Sequence, residues 1–200
     1  MSFWSNYAVT ADGKGFEPLR KFTFLLSIAG SAPRGSGQAF GIENYLIKKV
    51  KRPSFEVSES EHKFLNHTFW YPGKVKWKEC GFTIVDVINP NTSRKFLELL
   101  QRCGYRAPEG PVEPGNANAQ TVSKLRSVEA IGVPTIRQID ADGRTVNEWR
   151  LKGAWIKDVD LGEMDYDSDD LMSIDVVLRY DFAFLTTLQP TNSRFPTNAS

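Results

Sequence analysis

The stretch Met172-Ser-Ile-Asp-Val-Val-Leu-Arg-Tyr-Asp-Phe182 decides the fold class. Met172, Ile174, Val176, Leu178, Tyr180 and Phe182 fall on one face. Ser173, Asp175, Arg179 and Asp181 fall on the other, with Val177 the single apolar intruder. Alternation of period two predicts a strand with one dry and one wet face, because successive strand side chains point to opposite sides. An acidic turn precedes it, with Asp158, Asp160, Glu163, Asp165, Asp167, Asp169 and Asp170 close together, and an aromatic strand around Trp155 runs into that turn.

Working outward, the same period recurs. Val133 to Asp140 and Thr145 to Leu151 read as strands joined by Ala141-Asp142-Gly143-Arg144, a sequence with hairpin-turn chemistry. Lys21 to Ala29 alternates through Phe22, Phe24, Leu26 and Ile28, and Glu43 to Lys51 reads as a further strand ended by Pro53. In Lys74 to Ile88 the apolar positions change parity, from Val75 and Trp77 to Cys80, Phe82, Ile84 and Ile88. A bulge near Glu79 to Gly81 accounts for that, since a one-residue slip flips every side chain. Residues 55–71 are polar and aromatic with weak alternation, a hairpin or arm projecting from the body, and Pro72-Gly73 reads as a turn.

One good helix is signalled. Asn91, Thr92 and Ser93 supply its N-cap, Phe96, Leu97, Leu99, Leu100 and Cys103 its apolar stripe, and Gly104 its C′ residue. A shorter second helix is expected over Ala119 to Ala130. The sum is mainly β: a small β-barrel or sandwich with one flanking helix and a projecting arm. One domain spans 1–185, with an irregular N-terminal arm over 1–20, loops at 30–41 and 106–118, and a flexible Pro/Thr/Asn tail over 186–200.

Composition narrows the function. A 200-residue chain with 40% hydrophobic and 24% charged residues can build a full core, and its net charge of +1 supplies no global field to recruit nucleic acid or an anionic membrane. No apolar run is long enough to span a membrane and no signal peptide is apparent, so synthesis in the cytoplasm is expected. Cys80 and Cys103 read as small buried hydrophobes, with a disulfide between them left open. Asp165, Asp167 and Asp169 imitate a calcium loop, but Asp170 stands where that loop needs Gly and Val176 where it needs Glu. His62 and His67 on the arm lack further zinc ligands in register. No nucleophile elbow, phosphate loop or dinucleotide fingerprint is present. The runs Lys48, Lys49, Lys51, Arg52 and Lys74, Lys76, Lys78 alternate with apolar residues, and complementary charge between identical subunits explains them as well as nucleic acid does. No catalytic, cofactor or metal residue is assigned.

Against this background a resemblance emerges. Leu151-Lys-Gly-Ala-Trp-Ile, Val159-Asp-Leu-Gly, Met164-Asp-Tyr-Asp-Ser-Asp-Asp and the strand ending Arg179-Tyr-Asp181 resemble the closing signature of tail tube proteins of contractile-tailed phages. Lys51-Arg-Pro53 and Asn66-His-Thr-Phe-Trp-Tyr-Pro-Gly-Lys-Val-Lys-Trp77 support it upstream. The resemblance implies a subunit of hexameric rings stacked into a hollow tube inside a sheath, an architecture shared with Hcp-type secretion tubes and phage-like injection particles. It implies partners in copies of itself, in the tail sheath protein and in baseplate and tail-terminator proteins, a place in the virion tail after assembly in host cytoplasm, and no active site. A genome conduit should not bind DNA, so Asp175, Arg179 and Asp181 become candidate lumen residues. Phe64, Leu65, Phe69, Trp70 and Tyr71, too apolar for an isolated arm, become candidate contacts between subunits. The competing readings are a tube initiator or terminator, the inner tube of an injection particle, and a monomeric ligand-binding β-barrel.

Overall fold

The structure is a computed structural model describing residues 19–28, 30, 41–89, 91–105, 121–167 and 169–187. Its organising strand is β9, Ser173–Arg179, where Ile174, Val176 and Leu178 are buried to 1% exposure or less while Asp175 stays exposed, as the alternation requires. β9 lies inside a four-stranded antiparallel sheet of order β2-β5-β9-β8, formed with β2 (Ile47–Val50), β5 (Cys80–Val85) and β8 (Trp155–Asp160). A second antiparallel sheet has the order β1-β6-β7-β10, from β1 (Phe24–Ser27), β6 (Thr135–Ile139), β7 (Thr145–Lys152) and β10 (Phe182–Thr187). Leu26, Ile136 and Leu151 from this sheet join Phe82, Ile84, Ile174 and Leu178 from the other in one buried cluster, which places the core between the sheets. At about 1.5–3 kcal/mol per fully buried aliphatic side chain, this cluster is the main favourable term.

Two open sheets rather than a closed barrel therefore answer the barrel-or-sandwich expectation. Two helices flank them, the good helix and the shorter second one that the sequence signals. α1, Thr92–Arg102, has Asn91 as its N-cap, whose side chain accepts the Arg94 N–H at 2.7 Å, and Gly104 follows its last turn at φ +108. α2, Lys124–Ile131, is capped by Ser123 and starts later than the expected Ala119. Asp140-to-Arg144 turns β6 into β7, with Gly143 at φ +78. Among the described residues no helix is long and apolar enough to cross a membrane.

Five readings are corrected. The expected strand over 43–51 begins as a 3-10 turn at Asn44–Leu46, and only Ile47–Val50 is extended, with a register shift before Lys49. The arm does not end at Tyr71: it is a hairpin of β3, Phe55–Phe64, and β4, His67–Trp77, and it turns at Leu65-Asn66. Pro72 and Gly73 lie inside β4, where the register slips opposite Ser58. There the Lys74 N–H donates to Ser58 Oγ at 2.8 Å, and a Cβ on Gly73 would sit 2.9 Å from the Ser58 carbonyl oxygen, so this glycine serves a bulge. The parity change before Cys80 is not a bulge but a change of partner: the chain leaves the β3–β4 ribbon at Trp77 and enters the main sheet at Cys80. Finally, the last strand does not run on to Phe182. It bends at Tyr180-Asp181 and crosses to the second sheet, leaving Tyr180 buried and Phe182 44% exposed. Thr186 and Thr187 belong to β10, while the rest of the expected tail, the N-terminal arm through Pro18 and the 106–118 loop lie outside the described residues.

Candidate assembly surfaces

The β3–β4 ribbon is the first surface. It is a two-stranded sheet by itself, and every residue from Phe55 to Lys76 is exposed. Its base is anchored: Phe55 meets the Trp77 ring edge-on at 5.5 Å, Trp77 lies 6.0 Å from Tyr180, and the Lys78 ammonium pairs with Glu56 at 3.1 Å. Beyond the base no described residue covers it. The pairing His62↔Phe69, Phe64↔His67 and Ser60↔Tyr71 puts Phe64, Phe69 and Tyr71 on one face, whereas Glu61↔Trp70 puts Trp70 on the other. All five candidate contact residues thus lie in the outer half of the ribbon, on both of its faces and at its tip. Leu65 at the tip is 87% exposed at φ 51, a left-handed conformation that favours glycine and strains leucine.

The open face of the β2-β5-β9-β8 sheet is the second surface. Asp175 and Arg179 share it, alternating with the buried Ile174, Val176 and Leu178. Asp175 accepts a hydrogen bond from the Thr83 hydroxyl on β5. Glu79 accepts from the Lys157 ammonium at 2.6 Å and pairs with Arg179 at 3.6 Å. The Lys157 hydrogen bond is the main reason the Glu79 carboxyl is held below the usual glutamate range. Asp181 departs from the group. It sits in the bend after β9, where both its oxygens accept from the Lys124 ammonium of α2 at 2.8 Å. Charge on this face is mixed in sign.

The edges of that sheet form the third surface, one that sequence reasoning missed. β2 carries Lys48 and Lys49 and runs into Lys51 and Arg52, whereas β8 carries Asp158 and Asp160 and runs into Glu163, Asp165 and Asp167. Among the described residues the two outer strands of one sheet therefore carry runs of opposite sign, Lys157 being the one cation on β8. Both runs were visible in the sequence; that they occupy opposite edges is a property of the strand order.

Among the described residues no constellation for covalent chemistry accompanies these surfaces. Burial pushes the Cys80 thiol up to about 12, and its Sγ donates to the Lys51 carbonyl at 2.7 Å. Cys103 is likewise a buried free thiol. Among the described residues no three or more His, Cys, Asp or Glu side chains are grouped as a metal site would need. The apolar recess of about 290 Å3 lies between α1 and β8, lined by Leu97, Leu100, Val159 and Leu161, and not between the sheets, where Leu26, Ile136, Leu151 and Ile174 fill the interior.

Comparison with solved structures completes the description. A chain in the cryo-EM structure of the anti-feeding prophage baseplate superposes with a TM-score of 0.59 at 15% identity, over 88% of this chain and 99% of that one. A chain in the tube-terminating cap of the same particle gives 0.57 at 11% identity, over 90% and 99%. The sheath–tube complex of an extracellular contractile injection system, PVC, contains a chain matching at 0.53 and 12% identity, over 94% and 100%. This chain shares the fold of those injection-particle chains. No protein-family model matches its sequence, and no curated protein matches it at a significant level. The likeness spans nearly the whole length of each chain compared, so the fold that the tail-tube resemblance implies is matched in three dimensions.

Proposed function

We propose that this protein is a structural subunit of the inner tail tube of a contractile phage tail, polymerising as stacked hexameric rings into the conduit through which the genome leaves. The observation that carries the reading is the ribbon, which exposes Phe64, Leu65, Phe69, Trp70 and Tyr71 on two faces and a tip. An isolated two-stranded hairpin is marginal in water, and contiguous exposed apolar surface marks an interaction site. A partner that covers both faces removes both problems. The oppositely charged edges support ring closure: head-to-tail addition brings a basic edge against an acidic one, and a rotation that closes leaves no free edge. The mixed charge around Asp175 and Arg179 suits a lumen that lets DNA pass without holding it, since a purely basic wall would bind phosphates. In this reading the tube has no enzymatic role, works inside the virion tail after assembly in host cytoplasm, and meets sheath, baseplate and terminator proteins.

Deleting residues 57–70 tests it. The expected result is a folded monomer that forms neither rings nor tubes in negative-stain micrographs under conditions where the full chain does. Tubes from the truncated protein would remove the ribbon from the assembly. A second reading, a tube-terminating subunit or the inner tube of an injection particle without a genome, is favoured by the injection-particle chains with the same fold, one of them in a cap. A terminating subunit would give single rings that do not stack, whereas a tube subunit gives filaments.

A further inference from the structure

We propose that the acidic loop following β8 docks into a basic cleft on a second copy of this chain. This rests on the self-assembly reading above and names the surfaces that meet at the ring edge. A cleft of about 500 Å3 opens beside the free edges of β1 and β2. Arg20, Lys21, Lys48, Lys49 and Arg52 line it, and among the described residues no carboxylate does. Among the described residues none of these five cations forms an ion pair. Like charges gathered without a counter-charge repel one another, and an anionic partner relieves that cost. The floor is apolar, from Phe24, Val50 and Ile136.

The loop is complementary in both respects. Between β8 and β9 it carries Glu163, Asp165 and Asp167, and set among them are Met164, 91% exposed, and Tyr166, fully exposed. Large apolar side chains interleaved with acids are poorly placed in a monomer, but they match a cavity with a basic rim and an apolar floor. Position agrees with chemistry. The loop leaves β8 at one edge of the β2-β5-β9-β8 sheet, and the cleft borders β2 at the other edge. A copy added alongside therefore brings its loop toward its neighbour's cleft. Each chain has one loop and one cleft, so the contact is heterologous and a closed ring leaves neither unfilled. A nucleic acid could supply the negative charge, but it has no counterpart to the methionine and tyrosine set within the acidic run.

Charge reversal with rescue tests the contact. Asp165→Lys with Asp167→Lys, and separately Lys48→Glu with Lys49→Glu, should each lower the assembled fraction at least tenfold while thermal unfolding shows an intact fold. An equal mixture of the two variants, or all four substitutions in one chain, should restore assembly. A labelled peptide of residues 158–171 adds a measurement independent of assembly. It should bind the full-length D165K/D167K chain, whose cleft no longer receives a loop, and adding K48E/K49E to that chain should weaken binding at least tenfold. Reversal variants that assemble like the wild type, or assembly lost without rescue and without peptide binding, would overturn the docking and leave the tube reading standing. A wild-type chain that never assembles yet binds the peptide through Lys48 and Lys49 would uphold the docking and sink the tube reading. A DNA oligonucleotide that needs those lysines, where the peptide fails to bind, would assign the cleft to nucleic acid and overturn the proposal.

Discussion

β9 and the β3–β4 ribbon are both antiparallel β-structure, yet they handle apolar side chains in opposite ways. β9 sinks Ile174, Val176 and Leu178 into a shared core and leaves Asp175 outside. The ribbon has more aromatic residues and, apart from Trp77 at its base, leaves all of them exposed. The difference teaches that alternation specifies a strand but not its cover. A strand whose apolar positions share one face finds its cover within the chain. A ribbon with Trp70 on one face and Phe64, Phe69 and Tyr71 on the other cannot be covered by a single sheet of its own molecule.

The contrast predicts two separable classes of mutation. Ile174→Ala should cost about 2–5 kcal/mol of unfolding free energy, the range for emptying a packed aliphatic site, read as a drop in denaturant midpoint. Trp70→Ala should leave the unfolding midpoint within about 0.5 kcal/mol of wild type, as surface changes do. In assembly assays the order reverses: Trp70→Ala should raise the concentration needed for ring formation about tenfold or more, as loss of an aromatic anchor does. If Trp70→Ala instead unfolds the monomer, the ribbon belongs to the core and the comparison breaks.

Glu148 sharpens the core side of the comparison. It is 6% exposed on β7 and accepts from Arg137 at 2.8 Å and Arg150 at 2.6 Å, in contrast to the exposed ion pairs of the ribbon. Those two hydrogen bonds, Arg137 first, hold its carboxyl below the ordinary 4.5. A depressed folded value means that its contribution is complete above the unfolded value and disappears as pH falls through the folded one. Wild type should therefore exceed Glu148→Gln in stability at neutral pH, with the gap closing below about pH 4. A gap independent of pH would show that the hydrogen bonds act without the charge. Glu61→Gln, beside Lys63 on the exposed ribbon, should change stability at neutral pH far less, because an exposed pair contributes little.

The smallest effect concerns the tip. Leu65→Gly should relieve left-handed strain of about 1 kcal/mol and slow amide exchange in the ribbon slightly, while weakening assembly through loss of an apolar tip. Unchanged assembly would show that Leu65 contacts no neighbour.

How much was legible depends on whether the cause was local. The N-cap at Asn91, the C′ glycine at Gly104 and the Asp142-Gly143 turn were readable because each rests on chemistry within a few residues. Pro72-Gly73 misled for the same reason: the pair carries turn chemistry, but bulge and turn make the same local demand, and the choice was settled by Ser58 on the partner strand. The parity change before Cys80 signalled a discontinuity correctly, although a slip within one sheet and a passage between two sheets look identical along the chain. Asp181 was grouped with Asp175 and Arg179 because alternation runs through Tyr180 into Phe182, and nothing in that run announces a bend.

By itself the sequence determined the mainly β class, the alternation that underlies β9, the capped helix and an arm with too many aromatic residues for solvent, because these follow from side-chain period, capping chemistry and hydrophobicity. Only the tertiary structure decided which strands are neighbours. Strand order put the basic and acidic runs on opposite edges of one sheet, sent the chain across to the second sheet after Tyr180, and left the ribbon without cover. The physical reason is that pairing between distant strands depends on long-range burial and backbone hydrogen bonding, which local pattern constrains but does not choose.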